Sequence, residues 1–406
     1  MRARARDLIV FRPVSEMAAL AAMALALAGG GACSNDQPTT PVITPQPSLL
    51  NRAYIVARDS DDVTVIDLGS LEVIGRLKTG GVEDHMAELN ADFSKLYVDS
   101  PGTNETVVVD VTRFEITRRI QVGEFPTHLS LTPNGMFAVM DEYGGSISFI
   151  DTRSDVETKR LPGFFTPHFM RMAPDGKHGY VANVGASHVS RVDLTTLEID
   201  QQIPLEGTTV PTEVTMESGF ADVQIDRFGV LYAAHAATGR VMVFDTNSGT
   251  KLRETQVGSA PWIVYANHPF ANVPMRYLVP NFGDQTVSML AGDSPQVLAT
   301  MPGDQESFGV NYTSKAPDRA FVMNRIRRDI SVVDTTQGII VDRIDVGGNT
   351  ETASTTPDGS LIVAAVSGAD KVVVIDALTH QIVKTFDDVG KYPWSVTIPN
   401  GQNYCH

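Results

Sequence analysis

From about residue 52 onward the chain repeats one pattern of apolar and polar positions. A short, β-branched-rich apolar run ends in aspartate at Val63–Asp67, Val107–Asp110, Ile147–Asp151, Val189–Asp193, Val241–Asp245, Ile330–Asp334 and Val372–Asp376. Runs of this length and composition read as strands. Their aspartates are spaced by 43, 41, 42, 52, 89 and 42 residues. The interval of 89 is two periods, and its middle holds Val287–Leu290, a copy that has lost the aspartate. A second apolar run precedes each of these, as at Ala53–Val56, Leu96–Val98, Phe137–Met140, Tyr180–Asn183 and Leu361–Ala364. Before that run comes a third, ending in turns such as Pro133-Asn134-Gly135, Pro174-Asp175-Gly176 and Pro357-Asp358-Gly359. A fourth follows the aspartate, as at Leu71–Leu77 and Gln381–Phe386. The aspartates themselves are expected to accept backbone N–H groups just beyond them and close the turn, a structural role.

Four strands per repeat of this length make a β-propeller blade. The pattern predicts an all-β, eight-bladed β-propeller over residues 52–406. Seven blades is the alternative count, because the fifth unit carries an insertion around Glu206–Gly219. The N-terminal unit lacks its first strand, and the C-terminus supplies an orphan one at Trp394–Ile398. Joining them closes the ring and removes two exposed sheet edges.

Composition narrows this picture without changing it. Of 406 residues 42% are hydrophobic and 20% charged, enough for a large core, and 33 Gly with 23 Pro suit a turn-rich β protein. A formal net charge of −16 excludes general electrostatic binding of nucleic acid. Two cysteines, Cys33 and Cys405, exclude a disulfide framework and a Cys-rich metal module.

The N-terminus reads as an export signal over residues 1–32. Arg2, Arg4, Arg6 and Arg12 precede an apolar run from Met17 to Ala28, too short for a comfortable membrane span. The small residues Gly29–Ala32 before Cys33 resemble the bacterial lipoprotein cleavage box, although Gly30 stands where Leu is usual. That resemblance implies lipidation of Cys33, attachment to the membrane through the lipid and, with Ser34 next, an outer-membrane lipoprotein outside the cytoplasm. Residues 33–51 form a Pro/Thr-rich tether, extended and unpacked. Loss of the basic signal leaves a mature chain near about −18, which anionic lipid repels, so the lipid itself would have to hold it.

The phrase Tyr180–Asn183 followed by Val189–Asp193 resembles the YVTN-type propeller repeat, a resemblance that covers roughly residues 52–400 and speaks to fold far more than to function. A narrower resemblance runs from Asp62–Asp67 through Thr79-Gly80 to His85-Met86. It is similar to the start of the haem d1 propeller of bacterial nitrite reductase and its biosynthetic relatives, and implies a haem-ligating role for His85. The chain lacks the Cys-x-x-Cys-His attachment motif of the cytochrome c part.

Independently of that resemblance, His85, His128 and His168 lie near the beginnings of first strands in three successive blades. Neutral imidazoles ligate copper, zinc or haem iron. His85 and His168 occupy equivalent positions. His128 is one residue off, so strand alternation turns it away unless a bulge intervenes. Each could instead bond a neighbouring backbone carbonyl. Arg58 is the candidate partner for acid groups of a cofactor. Asp141, Glu142 and Arg325 fall in loops of the same rim, where charges are ordinarily solvated. Asp222, Glu306 and Glu351 stand at other first-strand beginnings, and Trp262 and Trp394 are expected to pack between blades. His235 replaces a repeated Asn, and the Glu206–Gly219 insertion reads as a surface loop or a lid over the mouth.

No nucleophile–base arrangement, phosphate-binding Gly loop or His-Glu-x-x-His helix is present, so the expectation is a binding module rather than an enzyme. Three readings remain: a ligand-, metal- or protein-binding module of the cell envelope, a haem d1-type redox or cofactor-biosynthesis protein, and an envelope scaffold with a protein partner at the propeller rim. The sequence names no single cofactor, a transition metal and haem d1 being the two candidates.

Overall fold

The computed structural model describes residues 49–404 except 216–217, 268–272, 293–295, 305 and 351. The signal, Cys33, most of the tether, Glu351, Cys405 and His406 lie outside the described residues.

The apolar runs form eight antiparallel sheets, one per repeat, so the eight-blade count holds. Blade one consists of β1 (Arg52–Ala57), β2 (Asp62–Asp67) and β3 (Glu72–Lys78), with β32 (Pro393–Thr397) added as its innermost strand. The chain's two ends thus close the ring through the pairs Tyr54↔Thr397, Ile55↔Val396 and Val56↔Ser395. Blade two runs β4 (Ala87–Leu89), β5 (Lys95–Ser100), β6 (Glu105–Asp110) and β7 (Glu115–Gln121) from the channel outward. Among the described residues no helix is long and apolar enough to cross a membrane.

The repeated aspartates do the local work expected of them. Asp67 Oδ1 accepts the N–H groups of Gly69 at 2.9 Å and Ser70 at 2.8 Å. Asp110, Asp151, Asp193 and Asp376 close their turns in the same way. These bonds hold their carboxyls below the usual range where a shift is resolved, as at Asp67, Asp151 and Asp193.

The core lies between blades. Tyr54, Tyr97, Tyr180, Tyr232 and Tyr277 of the second strands are fully buried. Around the channel, first-strand side chains donate to carbonyls of the next blade. Thr397 Oγ1 bonds Ala87 O at 2.7 Å, Ser130 Oγ bonds Met170 O at 2.8 Å, and Asn311 Nδ2 bonds Ala353 O at 3.0 Å. These bonds satisfy the Thr397, Ser130 and Asn311 donors and set blade against blade.

Two features orient the ring. The tether meets it on the face of the Pro-Asp-Gly turns: Leu49 is buried against Val65 and Leu89, and Leu50 and Asn51 lie beside Pro357 and Asp358. That is the face opposite the first-strand beginnings. A last strand, β33 (Gln402–Tyr404), was not legible in the repeat. It turns back after Ile398 and pairs antiparallel with the first strand of blade eight, β28 (Ala353–Thr355), making a five-stranded sheet whose extra strand lies inside the channel.

Candidate metal centre

The three histidines do converge. β8 (Pro126–Leu131) pairs Pro126 with Asp141 but His128 with Met140, so a bulge separates them. His128 stays in regular register with Leu131; the parity change comes instead from His168, where the register of its own first strand shifts between Pro167 and Met170. The rings of His128 and His168 are 4.4 Å apart between centroids, and those of His85 and His128 5.6 Å. All three are buried, His85 being the most exposed at 7%.

Each imidazole is anchored through Nδ1. His85 Nδ1 donates to Thr127 O at 3.0 Å, and His168 Nδ1, from β12 (Pro167–Met172), donates to Ala221 O at 2.7 Å. Each acceptor is a backbone carbonyl of the next blade. His128 Nδ1 bonds Thr127 Oγ1 at 3.0 Å. A carbonyl acceptor requires the proton on Nδ1 and leaves the Nε2 lone pair free, the arrangement metal-ligating histidines use. His168 Nε2 is buried with no hydrogen-bond partner.

Glu142 completes the cluster. It follows β9 (Met136–Asp141) and was expected to be a solvated rim charge; instead it is 8% exposed and turned inward. Its Oε1 accepts the Thr127 hydroxyl at 2.6 Å and stands 3.9 Å from both His128 Nδ1 and His168 Nε2. Ligand-capable atoms of His128, Glu142 and His168 all lie within 4.8 Å of one another, a spacing that admits one cation between them. His85 stands beside this group rather than in it.

Burial sets the electrostatics of the cluster. Burial pushes the Glu142 carboxyl up to about 8, the Thr127 hydroxyl opposing. Burial, helped by the Arg58 charge, pushes His85 down to about 3, and burial takes His168 down to about 4. His85 and His168 are therefore neutral at pH 7, the state that binds metal.

The remaining candidates have structural partners. Arg58 lies over the rings of Trp394 and Tyr392 at 5.5 and 5.9 Å and stands 3.9 Å from Glu83. Trp394 packs on His85 at 4.9 Å and clusters with Met86 and Phe169; Trp262 is 6.3 Å from His168. His235 bonds Ser187 Oγ and Thr238 Oγ1, both at 2.9 Å, as a substitute for the repeated Asn. Asp141, also expected on the rim, is buried and bonded by Ser146 and Ser148. Glu306 pairs with Arg325 at 3.3 Å. Asp222 lies in the channel wall, bonded to its neighbour's N–H and to Gln224. A second cluster, His178, Asp193 and Asp200, is half-exposed, and Arg191 already grips Asp200 through two bonds. Thr127, which contacts His128 and Glu142 of the buried centre and His85 beside it, had no signal in the sequence beyond its place before His128.

Comparison with known proteins gives the fold a family. No curated protein matches the sequence significantly. Among solved structures, the dihydro-heme d1 dehydrogenase NirN, in complex with DHE, aligns over 90% of this chain and 78% of its own, with a TM-score of 0.73 and 16% identity. Apo AztD from Citrobacter koseri aligns over 85% and 96%, with a TM-score of 0.62 and 11% identity. Hydrazine synthase from Kuenenia stuttgartiensis aligns over 85% and 99%, with a TM-score of 0.55 and 17% identity. At these identities the likeness is one of fold. The model of the YNCE-like beta-propeller family matches residues 87–400, and the chain belongs to that family.

Proposed function

We propose that this protein is an exported, lipid-anchored β-propeller that holds a divalent transition metal at its channel mouth, with His128, Glu142 and His168 as ligands and His85 beside them. The observation that carries this reading is His168 Nε2, a buried lone pair without a partner, facing Glu142 Oε1 at 3.9 Å. In an ordinary core histidine a hydrogen bond satisfies the second ring nitrogen. Two imidazoles and one carboxylate suit zinc or copper rather than calcium or magnesium.

The tether supports an arrangement. It joins the face opposite the mouth, so a lipid on Cys33 would place the membrane below the ring and turn the metal centre away from it, toward a soluble partner at the rim.

The haem d1 reading retains one observation, the free Nε2 side of His85 at the mouth. Against it, Trp394 packs on that ring and Arg58 packs on Trp394, so a macrocycle would have to displace the stack. The residues present fit an ion better than a macrocycle.

Elemental analysis and an absorption spectrum of protein isolated from its own host test the reading. Stoichiometric zinc or copper that is lost in His168→Ala and Glu142→Gln is expected. Metal-free protein that takes up no zinc or copper on titration would sink it, and a haem spectrum would replace it with the macrocycle.

A further inference from the structure

One position at the start of the first strands recurs around the mouth. Trp394, His168 and Trp262 each follow a proline, Pro393, Pro167 and Pro261, that pairs with the end of the second strand in blades one, four and six. Each of the three holds a buried polar atom without a hydrogen-bond partner: Trp394 Nε1, His168 Nε2 and Trp262 Nε1. His168 Nε2 offers a lone pair to a metal. The indole N–H groups only donate and cannot ligate one, yet Trp394 is 1% exposed and Trp262 3%. A buried donor without an acceptor is costly, so these two call for a ligand that accepts.

The two tryptophans flank the metal centre in one closed circuit of side chains. From Trp394 the ring centroids run to His85 at 4.9 Å, on to His128 at 5.6 Å, to His168 at 4.4 Å and to Trp262 at 6.3 Å. The circuit returns from Trp262 through Phe282 at 6.0 Å and Phe308 at 5.7 Å. Arg325 lies over Phe308 at 5.3 Å and reaches the Tyr392 hydroxyl at 3.5 Å, and Tyr392 stacks on Trp394 at 5.8 Å. Its members come in turn from blades one, two, three, four, six and seven, so the circuit passes once round the channel axis. A ligand seated inside it touches the metal centre on one side and the indoles at either end of the histidine arc.

We propose that the mouth binds a small carboxylate, of formate or acetate size, as the fourth ligand of the metal held by His128, Glu142 and His168, with the indole N–H groups of Trp262 and Trp394 as its hydrogen-bond donors. This rests on the metal reading above. Two imidazoles and one carboxylate leave one position of a tetrahedral ion open. A divalent ion facing the single charge of Glu142 leaves one net positive charge in a buried site, and an anion neutralises it. The surroundings add to that pull. Burial first and the Arg58 charge second hold His85 down, so the guanidinium is felt at the mouth, and its carboxylate neighbour Glu83 is 3.9 Å away and half-exposed. Donor-only neighbours match an acceptor-only ligand with two oxygens. The carboxylate enters already ionised, one oxygen takes the open position on the metal and the other accepts an N–H, with no change of oxidation state.

Trp262 and Trp394 are the two tryptophans of the sequence, so indole fluorescence reads this site. Acetate titrated into the zinc-loaded full chain is expected to change that fluorescence saturably. In the cobalt(II)-loaded chain acetate is expected to shift the visible d–d bands, because its oxygen enters the coordination shell. Trp262→Phe and Trp394→Phe keep an aromatic ring and remove the N–H. With folding checked by circular dichroism, acetate affinity read from the cobalt bands is expected to fall roughly tenfold in at least one of them. Cobalt bands that acetate leaves unmoved, or an acetate affinity unchanged in both variants, would overturn the carboxylate site and leave the histidine centre standing. Failure of zinc and cobalt to bind at all would overturn the metal reading and the carboxylate site with it.

Discussion

The Thr127 hydroxyl donates to Glu142 Oε1 at 2.6 Å. The same hydroxyl oxygen receives His128 Nδ1 at 3.0 Å, and the Thr127 carbonyl receives His85 Nδ1 at 3.0 Å. One small residue thus holds a carboxylate and two imidazoles in place, which is the second-layer support that metal ligands depend on.

Thr127→Val keeps the shape and removes the hydroxyl. Zinc affinity, measured by competition with a chromophoric chelator, is expected to fall by roughly tenfold or more. Thr127→Ser restores the donor and should recover most of the loss; equal defects in both variants would show that the hydroxyl does not matter.

Metal binding should release protons. Glu142 is pushed up to about 8 and must ionise to ligate, so zinc added near pH 7 in weak buffer acidifies the solution. The release attributable to Glu142 should shrink as the pH is raised past about 8 and vanish in Glu142→Gln.

In the metal-free protein Glu142 and the two histidines should bias stability against pH in opposite senses. A carboxyl raised from 4.5 to about 8 by folding keeps its proton longer in the folded state, so its contribution is present below about 4.5 and is lost as pH rises toward 8. His85 and His168, lowered from 6.5 to about 3 and about 4, act in the opposite sense and lose stability as pH falls below 6.5. Denaturant midpoints across pH should show Glu142→Gln removing the part of the decline that falls between about 4.5 and 8.

Trp394→Ala removes a side chain that is 1% exposed and packed on His85, Tyr392, Met86 and Phe169. Truncating a buried Trp costs about 3–5 kcal/mol. Because Trp394 sits on β32, the closing strand, the loss should appear in chemical denaturation as opening of blade one, read by hydrogen exchange at β1.

Cys33→Ser is expected to move the protein from the membrane fraction to the soluble extracytoplasmic fraction. Retention in the membrane would show that the acidic body is held by something other than the lipid.

The tertiary readings failed or succeeded at identifiable residues. Asp67 and its counterparts were legible because a turn-closing carboxylate acts on backbone two and three residues away. His85 and His168 were legible as equivalents in the repeat. The convergence of His128 with His168 depended on a register shift between Pro167 and Met170, which an apolar pattern of period two does not register. Glu142 looked like a rim charge because its sequence neighbours, Asp141 and Tyr143, do not reveal that Thr127 from the adjacent strand is waiting for it.

What the sequence alone determined was the repeat, the eight blades, the closure of blade one by Trp394–Ile398, and the expectation of an exported chain. These follow from hydrophobic periodicity and local turn chemistry, which each repeat states for itself. What only the tertiary structure decided was that His128, His168 and Glu142 share one buried site with His85 beside it, and that Gln402–Tyr404 pairs with the first strand of blade eight. Both depend on contacts across a closed ring between residues tens or hundreds of positions apart, and no local pattern carries that distance.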